Sequence, residues 1–154
     1  MGNRAVITLE SHKGEKHPVA LYVHWHGGLE STLAFMEYTW ATFERGRDDI
    51  FTFHARLCQV IGNFFPDGLS LYGHPFHEAD GWAEGCDNGR VHFVVGPDGV
   101  SVPGREAEVV EARQHEYWTR EHSLHAVLKA AMPTKDESYN PKGGVAPVGV
   151  VPVS

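Results

Sequence analysis

The passage Val19 to Trp40, VALYVHWHGGLESTLAFMEYTW, constrains this chain more than any other: an apolar strand runs into Gly27-Gly28 and emerges as an amphipathic helix. A strand, a two-glycine turn and a helix start together expose backbone N–H groups at the positive end of a helix dipole, the usual basis of a small anion site. The passage therefore gives a location for a site. The residues around it leave the chemistry open.

The surrounding pattern is mixed α and β. Arg4 to Leu9 reads as a first strand, SHKGEKHP as a polar turn, and Val19 to Trp25 as a second strand with Leu21 and Val23 on one face and Tyr22 and His24 on the other. Leu29, Leu33, Met36, Trp40 and Phe43 recur at helical spacing, fading at Arg45-Gly46. Asp48 or Asp49 caps a second helix over about Ile50 to Asn63, with Phe53, Leu57, Val60, Ile61 and Phe64 as its stripe. Leu69 to Tyr72 is expected to form a third strand, and Val91 to Val95 and Val100 to Val102 bracket a Gly-Pro-Asp-Gly hairpin. Between these lies Gly73 to Arg90, a loop of roughly eighteen residues and so a functional suspect. Glu106 to Met132 reads as one long helix or two shorter ones, with Tyr117-Trp118 assigned to the core. Residues 134–154 lack periodicity and read as an extended or disordered, flexible tail behind a single α+β domain at 1–133. The expected fold class is α+β, a small sheet packed against two to four helices.

At 154 residues the chain is long enough for one real core. Its net charge of −7 disfavours non-specific adhesion to nucleic acid or membrane. The absence of a long apolar run, with Glu10 interrupting the N-terminal segment, gives a soluble, cytoplasmic expectation. Cys58 and Cys86 suggest neither a disulfide framework nor a CxxC site.

The segments GNRAVI (2–7), YVHWHGG (22–28), RLCQVIGNFF (56–65) and CDNG (86–89) together resemble a family of small, largely uncharacterised proteins carried by phages and other mobile elements. The likeness covers roughly residues 2–95 and lapses in the C-terminal third. It implies a genomic setting, in which small proteins often bind and disable a host defence or nucleic-acid machine.

A second, local resemblance concerns the turn alone. His26-Gly27-Gly28-Leu29-Glu30-Ser31 is similar to the SGGxDS loop of PP-loop ATP pyrophosphatases, with His26 in place of the leading serine and Glu30 in place of the aspartate. It implies a phosphate held by the backbone around Gly27 and Gly28 and by the Ser31 hydroxyl, although Glu30 adds charge of the wrong sign. The alternative is a plain tight turn whose Ser31 or Glu30 caps the helix.

Eleven histidines raise the question of metal. His24 and His26 share a strand phase, His74 and His77 flank Pro75-Phe76, and His122 and His125 share a helical face. His24, His26, His74 and His77 form the candidate set for a metal-dependent enzyme, without HExxH or CxxC spacing. Structural histidines are the commoner explanation. Cys58, within an apolar stripe, reads as a buried hydrophobe, Cys86 as a thiol whose pKa Asp87 raises, and no serine occupies a GxSxG elbow. No enzyme class is selected and no cofactor is assigned.

The remaining candidate is the acidic segment HEADGWAEGCDNG. Such a run is most often a solvated surface. Trp82 among Glu78, Asp80, Glu84 and Asp87 also has the composition of a protein-binding patch, an aromatic anchor with charges to steer the partner. The sequence thus reads as a binding protein acting on a host protein or complex, possible inhibition of a host defence included. The nucleotide or phosphate binder at the turn stands as the alternative, and the histidine metal enzyme after it.

Overall fold

The computed structural model describes residues 3–64 and 71–114. Along the chain come β1 (Ala5–Ser11), β2 (Val19–Val23), α1 (Leu29–Thr42), a 3-10 turn (Glu44–Arg47), α2 (Ile50–Phe64), β3 (Leu71–Pro75), a second 3-10 turn (Phe76–Glu78), α3 (Ala79–Ala83), β4 (Arg90–Gly96), β5 (Gly99–Ser101) and α4 (Glu106–Arg113). The fold is α+β, as expected. The five strands form one sheet in the order β3-β2-β1-β4-β5, in which β1 and β4 run parallel and the other three pairings are antiparallel.

Alternation along the strands decides what each face of the sheet meets. Ala5, Ile7 and Leu9 of β1, Leu21 and Val23 of β2, and Val91, Phe93 and Val95 of β4 point to the face covered by the helices and form the main core with them. Val6, Ala20 and Tyr22 point the other way, where Ala79, Ala83 and Cys86 pack against them. Thr8, Glu10, Arg90 and His92 continue that second face beyond the apolar patch.

The second helix begins as the sequence requires. The Asp49 carboxylate accepts from the N–H groups of Phe51 and Thr52 at 3.0 and 3.4 Å and from the Thr52 hydroxyl at 2.7 Å, satisfying donors that the first turn leaves without partners. Its stripe of Phe53, Leu57, Val60, Ile61 and Phe64 is buried throughout.

The first helix differs from expectation. Ser31 to Met36 are buried consecutively, more than a full turn, because α1 packs against α2, α4 and β5 rather than lying half in water. Its two buried threonines resolve their own polarity: Thr32 and Thr39 donate to the carbonyls of Gly28 and Phe35, at 3.2 and 2.7 Å. The amphipathic reading of Leu29 to Phe43 is accordingly corrected to a helix buried nearly all round.

Two further differences concern boundaries. The third strand reaches Pro75, and the stretch expected as a loop holds a 3-10 turn and α3. The last described helix, Glu106–Arg113, covers the start of the region expected to be helical. The rest of the helical region expected to Met132, with Tyr117-Trp118, His122 and His125, and the tail 134–154 lie outside the described residues.

Candidate functional site

The segment from Phe76 to Gly89 crosses the second face of the sheet, and its sequence explains how. Ala79, Ala83 and Cys86 are spaced by four and three residues, so three small side chains point at Val6, Ala20 and Tyr22 and let the backbone lie close. Both ends are pinned to strands. The Phe76 N–H donates to the Pro18 carbonyl at 2.7 Å, the Asn88 N–H to the Arg4 carbonyl at 3.0 Å, and the Val6 N–H to the Gly89 carbonyl at 3.0 Å.

Trp82, one position off that inward line, leans over the edge strand instead. Its ring stacks on His74, with centroids 3.9 Å apart and planes at 22°, and meets Tyr22 edge-on at 6.5 Å. The Tyr22 hydroxyl in turn hydrogen-bonds His24 Nδ1 at 2.9 Å. Trp82 is thus held by its neighbours while 44% of its surface stays open to solvent. It also lines a shallow hollow of about 530 Å³ together with His77, Glu78 and Gly81.

The four acidic residues of the segment divide into two kinds. Asp80 accepts from Arg90 at 2.9 Å, and Asp87 accepts from both the backbone N–H and Nε of Arg4, at 3.1 and 3.3 Å. Those hydrogen bonds hold the Asp87 carboxyl below the usual carboxylate range. Asp80 and Asp87 therefore tie the segment to the sheet, whereas Glu78 and Glu84 make no ion pair among the described residues. The Cys86 thiol is pushed up, by burial first and by Asp87 less, and it donates to the Trp82 carbonyl at 3.4 Å. Burial likewise raises the Cys58 thiol, so neither cysteine has the environment of a nucleophile.

The Gly27-Gly28 turn is tight in a different sense from the one a phosphate loop requires. A Cβ on Gly27 would lie 2.5 Å from the Asn3 carbonyl oxygen, so this glycine exists to let the turn pack on the chain entering β1. Gly28 precedes α1 with φ −61°, an ordinary value, and the positive φ of the turn, 57°, falls on His26. Glu30 folds back over Gly28, and a groove at this helix start is lined by Leu29, Glu30, Glu108, Glu111 and Ala112. Three carboxylates there oppose an anion, and Ser31, only 1% exposed, has a hydroxyl buried away from any ligand.

The histidines are dispersed by their contacts. His24 sits with Tyr22 and Trp25, His26 against Phe64 at 5.1 Å with its pKa lowered by burial, His74 under Trp82, and His77 on the rim of the hollow. Among the described residues no three His, Cys, Asp or Glu side chains converge where a metal ion would sit.

One constellation escaped sequence reasoning. Arg90 Nε donates to the Thr8 hydroxyl at 3.1 Å, Thr8 to His92 Nδ1 at 2.8 Å, and His92 Nε2 to Glu10 at 2.9 Å. For a neutral imidazole this order assigns the Nε2–H tautomer. The connectivity is that of a nucleophile, a base and an orienting carboxylate, but Thr8 is completely buried. A hydroxyl with no solvent access reaches no substrate, so the relay is a polar brace between β1 and β4. Its signal was present: Thr8/Glu10 and Arg90/His92 are the polar phase of two otherwise apolar strands.

Fold and geometry define a sheet protein with one face sealed by helices and the other partly open. No protein-family model, curated protein or solved structure matches the chain.

Proposed function

We propose that this protein acts by binding a partner protein through the open face around Trp82, without catalysis of its own. The observation that carries the reading is the state of Trp82: a large aromatic braced by His74 and Tyr22, nearly half exposed, at the edge of a hollow. A ring already immobilised loses little further freedom on binding, the property of an anchor residue. Glu78 and Glu84, with the overall charge of −7, favour a partner surface of positive potential. The resemblance to phage and mobile-element proteins makes a host protein complex, a defence machine among them, the class of partner we carry forward.

Affinity capture from host lysate with mass spectrometry tests this, using wild type, Trp82→Ala with Glu84→Lys, and Val110→Ala as an exposed control on α4. The expected result is a stoichiometric protein that the double variant loses and the control keeps. A partner retained equally by all three chains rules out this face.

A further inference from the structure

We infer that the open side of Trp82 receives an arginine side chain of the bound partner, with Glu78 supplying the counter-charge; the inference rests on the binding reading above. An aromatic face attracts a cation through its quadrupole, and a guanidinium stacks on it best where a carboxylate lies alongside. The hollow offers these two groups together, since Trp82 and Glu78 both line it, and Gly81, which lines it too, has nothing within 4 Å of where a Cβ would stand.

The rest of the molecule shows what such rings carry here. Arg47 lies 3.9 Å over Trp40, Arg56 4.7 Å over Phe43, and Arg90 4.9 Å over Phe76. Trp82 is more exposed than Trp40 and, among the described residues, has no cation over it. One of its sides is already taken by His74, so a single position remains. Glu78 is likewise without an ion pair among the described residues, while the neighbouring Asp80 is committed to Arg90. An aromatic platform and an uncommitted carboxylate facing one hollow select a flat cation over a neutral apolar group.

The test uses acetyl-Gly-Arg-Gly-amide as probe and the same peptide with citrulline, isosteric and uncharged, as comparison. The readout is the indole N–H resonance of Trp82, assigned among the four tryptophans with Trp82→Phe. The expected result is a saturable shift with the arginine peptide in the millimolar range, none with citrulline, and binding about threefold or more weaker in Glu78→Gln, while other resonances stay in place. Equal shifts with both peptides, or binding indifferent to Glu78→Gln, overturn the inference. If neither peptide moves Trp82 while partner capture still depends on it, the arginine assignment falls and the binding reading stands. If capture is also indifferent to Trp82, both fall.

Discussion

The imidazoles of His17 and His54 lie face to face, ring centroids 3.6 Å apart and planes within 4° of parallel, joining the turn before β2 to the second turn of α2. Both are more than nine-tenths buried, and His17 Nδ1 accepts from the Val19 N–H at 3.0 Å. Burial favours the neutral form of both rings. Burial, and next the neighbouring His17, lower His54 to about 4, and burial lowers His17.

The sign of the pH dependence follows. An unfolded histidine titrates near 6.5, so between that value and about 4 the unfolded chain binds more protons than the folded one, and stability falls as pH drops through this window. The displacement of His54 corresponds to a contribution on the order of 3 kcal/mol. Melting curves across this range should show His54→Phe losing much less stability than wild type on acidification. Parallel curves for the two proteins would remove the histidine pair as the cause.

The two glycines of the turn should separate cleanly. Gly27→Ala, which drives a methyl into the backbone of Asn3 to Ala5, is expected to cost about 2–4 kcal/mol. Gly28→Ala meets only the movable carboxylate of Glu30 and should cost about 1 kcal/mol or less. Urea denaturation ranks them, and the opposite order would misplace the close contact.

Thr8→Val keeps the shape of a buried residue but strips Arg90 Nε and His92 Nδ1 of their shared partner. The expected loss is about 1–3 kcal/mol, with Thr8→Ser recovering most of it. A valine variant as stable as wild type would show that the relay contributes nothing to the β1–β4 seam.

Asp87 and Glu84, three residues apart, should behave oppositely. Asp87→Lys abolishes the contacts to Arg4 and places like charges together, so its melting temperature should drop by several degrees. Glu84→Lys should leave it nearly unchanged. Asp87, expected from the sequence on the partner surface, also has its carboxylate engaged within the fold, so a capture experiment that reverses it would confuse unfolding with lost recognition.

Much of the fold was legible because it rests on local rules. Asp49 caps α2, the Gly-Pro-Asp-Gly turn joins β4 to β5, and Leu21/Val23 against Tyr22 divides the faces of β2. What escaped depends on residues distant in sequence. Nothing in the sequence near Leu29 to Thr42 tells that α4 and β5 close over its outer side. Nothing near Thr8 announces His92. The location of Trp82 in an exposed segment was readable from composition, but its support by His74 required the register of β3 against β2. Gly27-Gly28 misled by its form: two glycines mark a backbone in close quarters, and here the close neighbour is the chain itself.

The parallel seam at the centre of the sheet has a kinetic corollary. Thr8 faces His92 across a separation of 84 residues, so the first strand to be made waits for nearly the last described one before its second edge is paired. The β2 hairpin and the α1–α2 layer are assembled from nearer contacts and need no such closure. Sheet completion by β4 should therefore be the late event in refolding, and until it occurs β1 presents a row of unpaired backbone N–H and C=O groups open to pairing with a second chain.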